Sequence, residues 1–217
     1  EGEQIILYQA YNEQDEARFI ADILKDWMHK GGAYEEAAVL YRSNAQSRAI
    51  EEALLRVSIP YRIYGGLRFY ERLEIKNAIA YLKVVFNNND NPSFERSISN
   101  PTRGVGEKTL AKIRNTAKQF NLSYIKASAK LVDEGSIGGR GGAGLKDYLE
   151  FIAGCKSFIE ENLLSELMEL IIKETGLYAY HAKEPGEKGK TRTENLEELI
   201  TATKNFEQSI SEDKSNL

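Results

Sequence analysis

The sequence predicts an α/β layer with a mostly parallel sheet, followed by an all-α part. Three observations carry this. Short apolar runs alternate with helical periodicity before Asn87, strand-like runs disappear after the polar stretch NNNDNP at 87–92, and 41% hydrophobic residues in 217 supply one large core or two small ones. In order, IILYQAY (5–11) reads as a strand. DEARFIADILKDWMH (15–29) reads as a helix with acids in its first turn and Phe19, Ile20, Ile23, Leu24 and Trp27 on one side, the tryptophan in the core. AAVLYR (37–42) is a buried-type strand, Ser43 or Asn44 caps a helix to about Val57, and YRIYG (61–65) is strand-like. Gly65 and Gly66 permit the turn into a helix from about Arg72 to Phe86. Helices are then expected at about 93–99, 107–120, 123–132, 145–161, 164–175, 177–183 and 192–207, with turns at NPTRG, GGRGGAG and EPGEKGK. Six glycines in GSIGGRGGAG (135–144) predict a segment too flexible to be rigid without a partner, and SISEDKSNL a frayed end.

A net charge of −4 argues neither for nor against nucleic acid, so a polyanion site has to come from local clustering. Cys155 is the single cysteine, so no intrachain disulfide forms, and its neighbourhood FIAGCKSF reads as a helix face without metal-ligand spacing. No apolar run approaches the ~18 residues needed to span a bilayer, and residues 1–20 carry acids where a signal peptide needs basic and then apolar residues. The expectation is a cytoplasmic protein with no membrane partner. His29 and His181 have no acidic or cysteine partner at ligand spacing and read as solvated; IEEALL and ENLEEL read as acidic helix faces; no metal site is expected.

Chemistry concentrates in a few stretches. A strand ending in Tyr41 and Arg42 puts a ring and a planar guanidinium at the carboxyl edge of a sheet, beside a helix amino end, where nucleotides bind. On spacing alone, Tyr41 packing on a neighbour and Arg42 meeting a carboxylate fit as well, and Gln46 reads as a surface polar residue. GGLRFYER (65–72) combines Arg68 and Arg72 with Phe69 and Tyr70, phosphate-seeking charge with faces on which bases stack. The alternative has both rings filling the core beneath the turn and Arg72 pairing with Glu71 or Glu74; a mixture, rings inside and arginines out, is the expected outcome. PTRGVGEKTLAKI (101–113) carries a Gly104–Val105–Gly106 turn before a helix, with Arg103, Lys108 and Lys112 adding charge, and GEKGKTRTENLEEL (186–199) places Lys188, Lys190 and Arg192 before a helix. Arg192 either contacts DNA or bonds Glu194 and neighbouring loops.

AVLYRSNAQSRAIEEAL, IPYRIYGGLRFYERLEIKNAIAYL, NPTRGVGEKTL and GEKGKTRTENLEELITA closely resemble, in this order, the UvrD/PcrA/Rep group of superfamily 1 DNA helicases, nearest its UvrD branch. The resemblance implies that residues 1–87 are the first part of the second RecA-like motor domain, a partial P-loop NTPase fold with a parallel sheet, and that 88–217 are the inserted helical domain called 2B. It makes Tyr41 the aromatic near the adenine of ATP and Arg42 the arginine reaching the γ-phosphate across the motor cleft, the catalytic role. It places Arg68 and Arg72 near the bound single strand, and makes the Gly104–Gly106 turn a helix-hairpin-helix-like element holding a duplex phosphate, with Arg103, Lys108 and Arg192 as further DNA contacts. The implied activity is ATP-dependent 3′ to 5′ unwinding in repair, with ATP and Mg2+ as cofactors, DNA strand and junction as partners, repair proteins as further ones, and a nucleoid-associated location.

No segment matches GxxxxGK[ST], and the family's magnesium-binding and glutamine motifs and its motifs V and VI are absent. The expectation is therefore a span of a longer polypeptide that alone binds no cofactor and hydrolyses no ATP. Its incomplete sheet would favour self-association. A non-enzymatic DNA- or partner-binding module, or the helicase subunit of a helicase–nuclease, are the alternatives.

Overall fold

The computed structural model describes residues 4–63 and 66–215. By its internal contacts the chain divides into two compact units, Glu1–Arg72 and Leu73–Leu217. Among the described residues no helix is long and apolar enough to cross a membrane.

In the first unit, α1 (Glu13–His29) starts at Asn12, whose side chain accepts from the Asp15 amide, and carries Glu13, Asp15 and Glu16 in its first turn, where the helix dipole favours acids. Helix α2 (Ser47–Arg56) continues from a 3-10 turn, Asn44–Gln46, and two further 3-10 turns lie at Tyr34–Glu36 and Phe69–Glu71. The apolar centre is small: Ala21, Leu54 and Ile59, joined by Leu24, Tyr34, Ile50, Ala53, Val57 and Tyr61. Trp27 is not part of it; the indole is 42% exposed, with its Nε1–H donating to the Ala33 carbonyl at 3.1 Å.

The expected α/β sheet is absent. Residues 5–10 and 37–41 form no strand among the described residues, nor do 61–63; Tyr64 and Gly65, the end of the third expected strand, lie outside them. An apolar run signals that side chains seek burial, but a strand also needs a neighbouring row of N–H and C=O groups. These segments do not supply one another with such a row, and Ile5 and Leu40 are left 99% and 95% exposed. Self-association by pairing the edge of a partial sheet loses its basis, because the described residues form no sheet.

The second unit is helical throughout its described residues: α3 (Leu73–Phe86), α4 (Asn91–Ser99), α5 (Glu107–Phe120), α6 (Tyr124–Asp133), α7 (Gly139–Glu161), α8 (Leu164–Glu174), α9 (Leu177–Ala182) and α10 (Glu187–Ser215). Ile75, Ala78, Ala80, Tyr81, Val84 and Val85 of α3 are all buried, as a helix enclosed by α4, α7, α8 and α10 requires. Asp90 caps α4 through the Ser93 amide, and Ser123 caps α6 through Lys126. Cys155 is buried within α7, which pushes its thiol up to about 11.

The glycine-rich segment is also different from expectation. Gly139–Gly144 forms the first turns of α7, packed on the loop before α5. A Cβ at Gly144 would lie 2.0 Å from the Arg103 carbonyl oxygen, one at Gly142 would lie 2.3 Å from that of Ile137, and one at Gly141 would lie 3.1 Å from that of Gly104. These three glycines permit close backbone approach and give the segment the packing partner it needs, whereas Gly135, Gly138 and Gly139 face open space. Likewise α10 begins at Glu187, inside the expected EPGEKGK turn, and runs to Ser215, through most of the expected frayed end; Asn216 and Leu217 lie outside the described residues.

Gly144→Ala is expected to destabilise the second unit by ~1–3 kcal/mol, the range for overpacking a tight contact. Gly154→Ala, in the same helix with nothing within 4 Å of the new methyl group, should instead be neutral or stabilising. Urea titration followed by circular dichroism separates the two; equal midpoints would show that α7 can shift away from the loop.

Candidate nucleotide and nucleic-acid contacts

Tyr41 and Arg42 precede the turn that opens α2. The Gln46 side-chain oxygen accepts from the backbone N–H groups of Arg42 (3.1 Å) and Ser43 (2.9 Å), and Ser43 Oγ accepts from the Ala45 amide, a capping box. Gln46 is exposed, as a surface polar residue should be, and is also the clamp of this corner, a role its S-x-x-Q spacing from Ser43 signals. Arg42 is exposed, and its guanidinium has no ion pair or hydrogen bond among the described residues; Tyr41 is half-buried beside it. The backbone is fixed while the charge is free.

The stretch after Gly66 splits differently from expectation, one ring and one arginine inward, one of each outward. Phe69 is fully buried and its backbone N–H donates to the Glu51 carboxylate at 3.3 Å. Tyr70 is exposed and donates to Glu52 at 2.9 Å. Arg68 is exposed, with its guanidinium 5.2 Å from the Tyr61 ring centroid. Arg72 is only 8% exposed and donates to the Asn44 carbonyl at 2.9 Å, Ser47 Oγ at 2.7 Å and the Leu67 carbonyl at 3.3 Å. It organises the start of α2 and presents no charge to a ligand. Arg48, 1% exposed, bridges Glu13 at 2.7 Å and Glu52 at 2.8 Å. On the IEEALL face Glu51 is buried and Glu52 partly exposed, and both carboxylates bond neighbouring groups of this unit.

In the second unit, Arg103 points inward. Its guanidinium donates to the carbonyls of Pro101 (2.9 Å), Thr175 (3.2 Å) and Ser97 (3.4 Å), and lies 5.4 and 5.8 Å from the ring centroids of Tyr81 and Tyr148. Gly104 and Gly106 are exposed; Gly104 has φ +75°, a conformation that favours glycine, while Gly106 begins α5 with open space where a Cβ would stand. Lys108 is exposed without an ion pair among the described residues. Lys112 donates to the Ser136 carbonyl at 2.6 Å.

Arg192 belongs to an internal cluster. It meets Glu184 at 2.5 Å and Glu74 at 3.6 Å, Glu74 also accepts from Asn195 at 2.6 Å, and Lys188 reaches Glu184 at 3.2 Å. His181 is not solvated: it is 1% exposed, with Nδ1 2.6 Å from Glu184 and Nε2 lacking a partner. The bond to His181, then those to Arg192 and Lys188, hold the Glu184 carboxyl at about 2, well below its usual range. The i,i+3 spacing of His181 and Glu184 was visible in the sequence; their burial was not. Among the described residues no group of three or more His, Cys, Asp or Glu side chains converges as a metal site.

The glycine turn is thus exposed in the second unit, and in the first an exposed arginine stands on a backbone held by Gln46. Residues 1–134 match the family model described as UvrD-like helicase C-terminal domain, and the chain belongs to that family. It is 48% identical over 206 residues to DNA helicase II of Escherichia coli (strain K12), a match covering 95% of this chain and 29% of that protein. It is 46% identical over 205 residues to DNA helicase II of Haemophilus influenzae, covering 94% and 28%. With the ATP-dependent DNA helicase PcrA of Leuconostoc citreum the identity is 37% over 207 residues, covering 95% and 28%. The chain spans less than a third of the length of these curated relatives.

Because the Glu184 carboxyl is depressed in the folded state, its contribution is present above the ordinary carboxylate value of 4.5 and is lost as pH falls from there towards about 2. Glu184→Gln should therefore be less stable than wild type near pH 7, with the gap closing across that window. Urea midpoints at a series of pH values test this; a constant gap would show that the charge of Glu184 contributes nothing.

Proposed function

We propose that the whole protein is an ATP-dependent DNA helicase that unwinds duplex with 3′ to 5′ polarity in repair, and that this span supplies a nucleotide contact and a duplex contact. The observation that carries the reading is Arg42: an exposed guanidinium, free of internal partners, on a backbone held by Gln46. ATP with Mg2+ supplies the free energy of phosphoryl transfer. Arg42 reaches the γ-phosphate across the motor cleft, where its planar fork fits phosphate oxygens and stabilises the charge that develops on them, and the half-buried Tyr41 ring sits near the adenine. Charge stabilised only when ATP is in place also couples closure of the motor to the nucleotide.

The duplex contact is the Gly104–Gly106 turn with Lys108, whose backbone N–H groups and free ammonium group suit a phosphate without reading sequence. Arg68 serves the single strand beside Tyr61. Arg72, Arg103 and Arg192 are occupied internally and are left out of the DNA contacts. The family membership, and the names DNA helicase II and ATP-dependent DNA helicase PcrA borne by the relatives, support the reading. Cytoplasmic, nucleoid-associated location and repair partners belong to the same proposal.

In the full-length protein, Arg42→Ala should lower the kcat for ATP hydrolysis by ~10³-fold while leaving nucleotide-free DNA affinity near wild type. A wild-type turnover number would remove Arg42 from the site. Gly106→Val is the sharper probe of the turn, since its side chain enters open space. Thermal stability should hold while duplex affinity falls several-fold, and undiminished affinity would return the turn to a purely structural role.

A further inference from the structure

The sequence assigned the charge beside the glycine turn to Arg103, Lys108 and Lys112, but the Arg103 guanidinium is spent on three carbonyl oxygens of the helical unit. Other cations of the neighbourhood are also engaged: Lys112 on the Ser136 carbonyl, and Arg114 on Glu95 and Glu107. We infer that Arg140, in the first turn of α7, is the guanidinium that works with the Gly104–Gly106 turn, and that it binds a duplex phosphate. This rests on the reading of that turn as a duplex contact.

Packing brings the residue there. A Cβ at Gly104 would stand 2.8 Å from Arg140 Cγ, 3.2 Å from its Cδ and 3.3 Å from its carbonyl oxygen, so the arginine stem lies across the glycine. One residue on, a Cβ at Gly141 would lie 3.1 Å from the Gly104 carbonyl oxygen and 3.4 Å from Thr109 Oγ1, which ties the start of α7 to the turn and to the first turn of α5. Arg140 itself is exposed and has no ion pair or hydrogen bond among the described residues. The nearest acid in sequence to the turn, Glu107, is bound by Arg114 at 2.5 Å, so it does little to cancel Arg140.

Two exposed cations, Arg140 of α7 and Lys108 of α5, neither with an ion pair among the described residues, therefore belong to the neighbourhood of the glycine turn, one through its stem on Gly104 and the other two residues after Gly106. A phosphate held at the start of α5 would draw on the backbone N–H groups there, on Lys108 of the same helix and on the guanidinium whose stem lies on Gly104. Such an arrangement binds the duplex backbone without regard to sequence. The glycine-rich start of α7, which has no DNA role in the sequence reading, becomes the device that carries the charge to the turn.

The test uses the full-length protein and a blunt duplex, with Kd measured across a salt series. Arg140→Gln keeps the stem on Gly104 and removes the charge. It should weaken duplex binding several-fold at ~0.1 M salt and reduce the slope of log K against log salt by about one, with Arg140→Lys restoring the slope. A lost fold would not produce a unit change in slope with rescue by lysine, so a structural effect is recognised. If Gly106→Val weakens binding while Arg140→Gln leaves affinity and slope at wild type, the inference is overturned and the duplex reading stands. If neither variant changes binding, the duplex reading itself has failed, and this inference with it.

Discussion

A guanidinium held inside the helical unit is the contact on which the arrangement of that unit's candidate site depends. Arg103 is half-buried and gives up part of its hydration, a cost that hydrogen bonding and ring contacts offset. It recovers this from the carbonyls of Ser97, Pro101 and Thr175, which lie at the end of α4, in the loop before α5 and just after α8, and from Tyr81 of α3 and Tyr148 of α7. The two rings are tied in as well, Tyr81 donating to the Asn100 carbonyl at 2.7 Å and the Tyr148 hydroxyl lying 2.6 Å from Ser97 Oγ. With residues 97–103 fixed in this way, the Arg103 carbonyl faces Gly144, where no side chain could stand, and the next residues turn outward as the exposed glycines.

The arginines of the chain divide by what they meet and not by where they fall in motifs. Arg48, Arg72, Arg103 and Arg192 each satisfy internal acceptors, and their planar, multidentate heads suit them to joining several segments at one point. Arg42, Arg68 and Arg140 leave theirs to solvent. In the first unit the inward Arg72 sits one turn from the outward Arg68, and in the second the inward Arg103 directly precedes Gly104, on which the stem of the distant Arg140 lies. Residue type and spacing are the same for both kinds, which is why sequence alone grouped Arg68 with Arg72 and Arg103 with Lys108.

Helix positions were largely legible. The stretch expected at 107–120 is α5 residue for residue, because an amphipathic run there begins beside a glycine and ends at Asn121, which adopts a left-handed conformation. What failed to be legible depends on distant partners. The apolar runs at 5–11 and 37–42 looked like strands, yet pairing is a property of two segments. The glycines at 138–144 looked loose, yet each tight one answers to a carbonyl elsewhere in the chain. His181 looked solvated, because its burial is made by a cluster whose members come from α3 and α10 as well as its own neighbourhood. For the candidate site the sequence offered segments, Tyr41–Arg42 and Gly104–Gly106, and the capping spacing of Ser43 and Gln46, while the packing of the Arg140 stem on Gly104 joins residues far apart in the chain and became visible only in the fold.

Trp27 is the single tryptophan of the chain, and it lies in the unit Glu1–Arg72, its ring closed over Gly32 so that a Cβ there would come within 2.1 Å of the indole. Most of the helix lies in the other unit. Indole emission therefore follows the first unit alone, whereas the far-ultraviolet dichroism is dominated by the second. Without any added label, the pair of optical signals distinguishes loosening around Arg42 from loosening around the glycine turn.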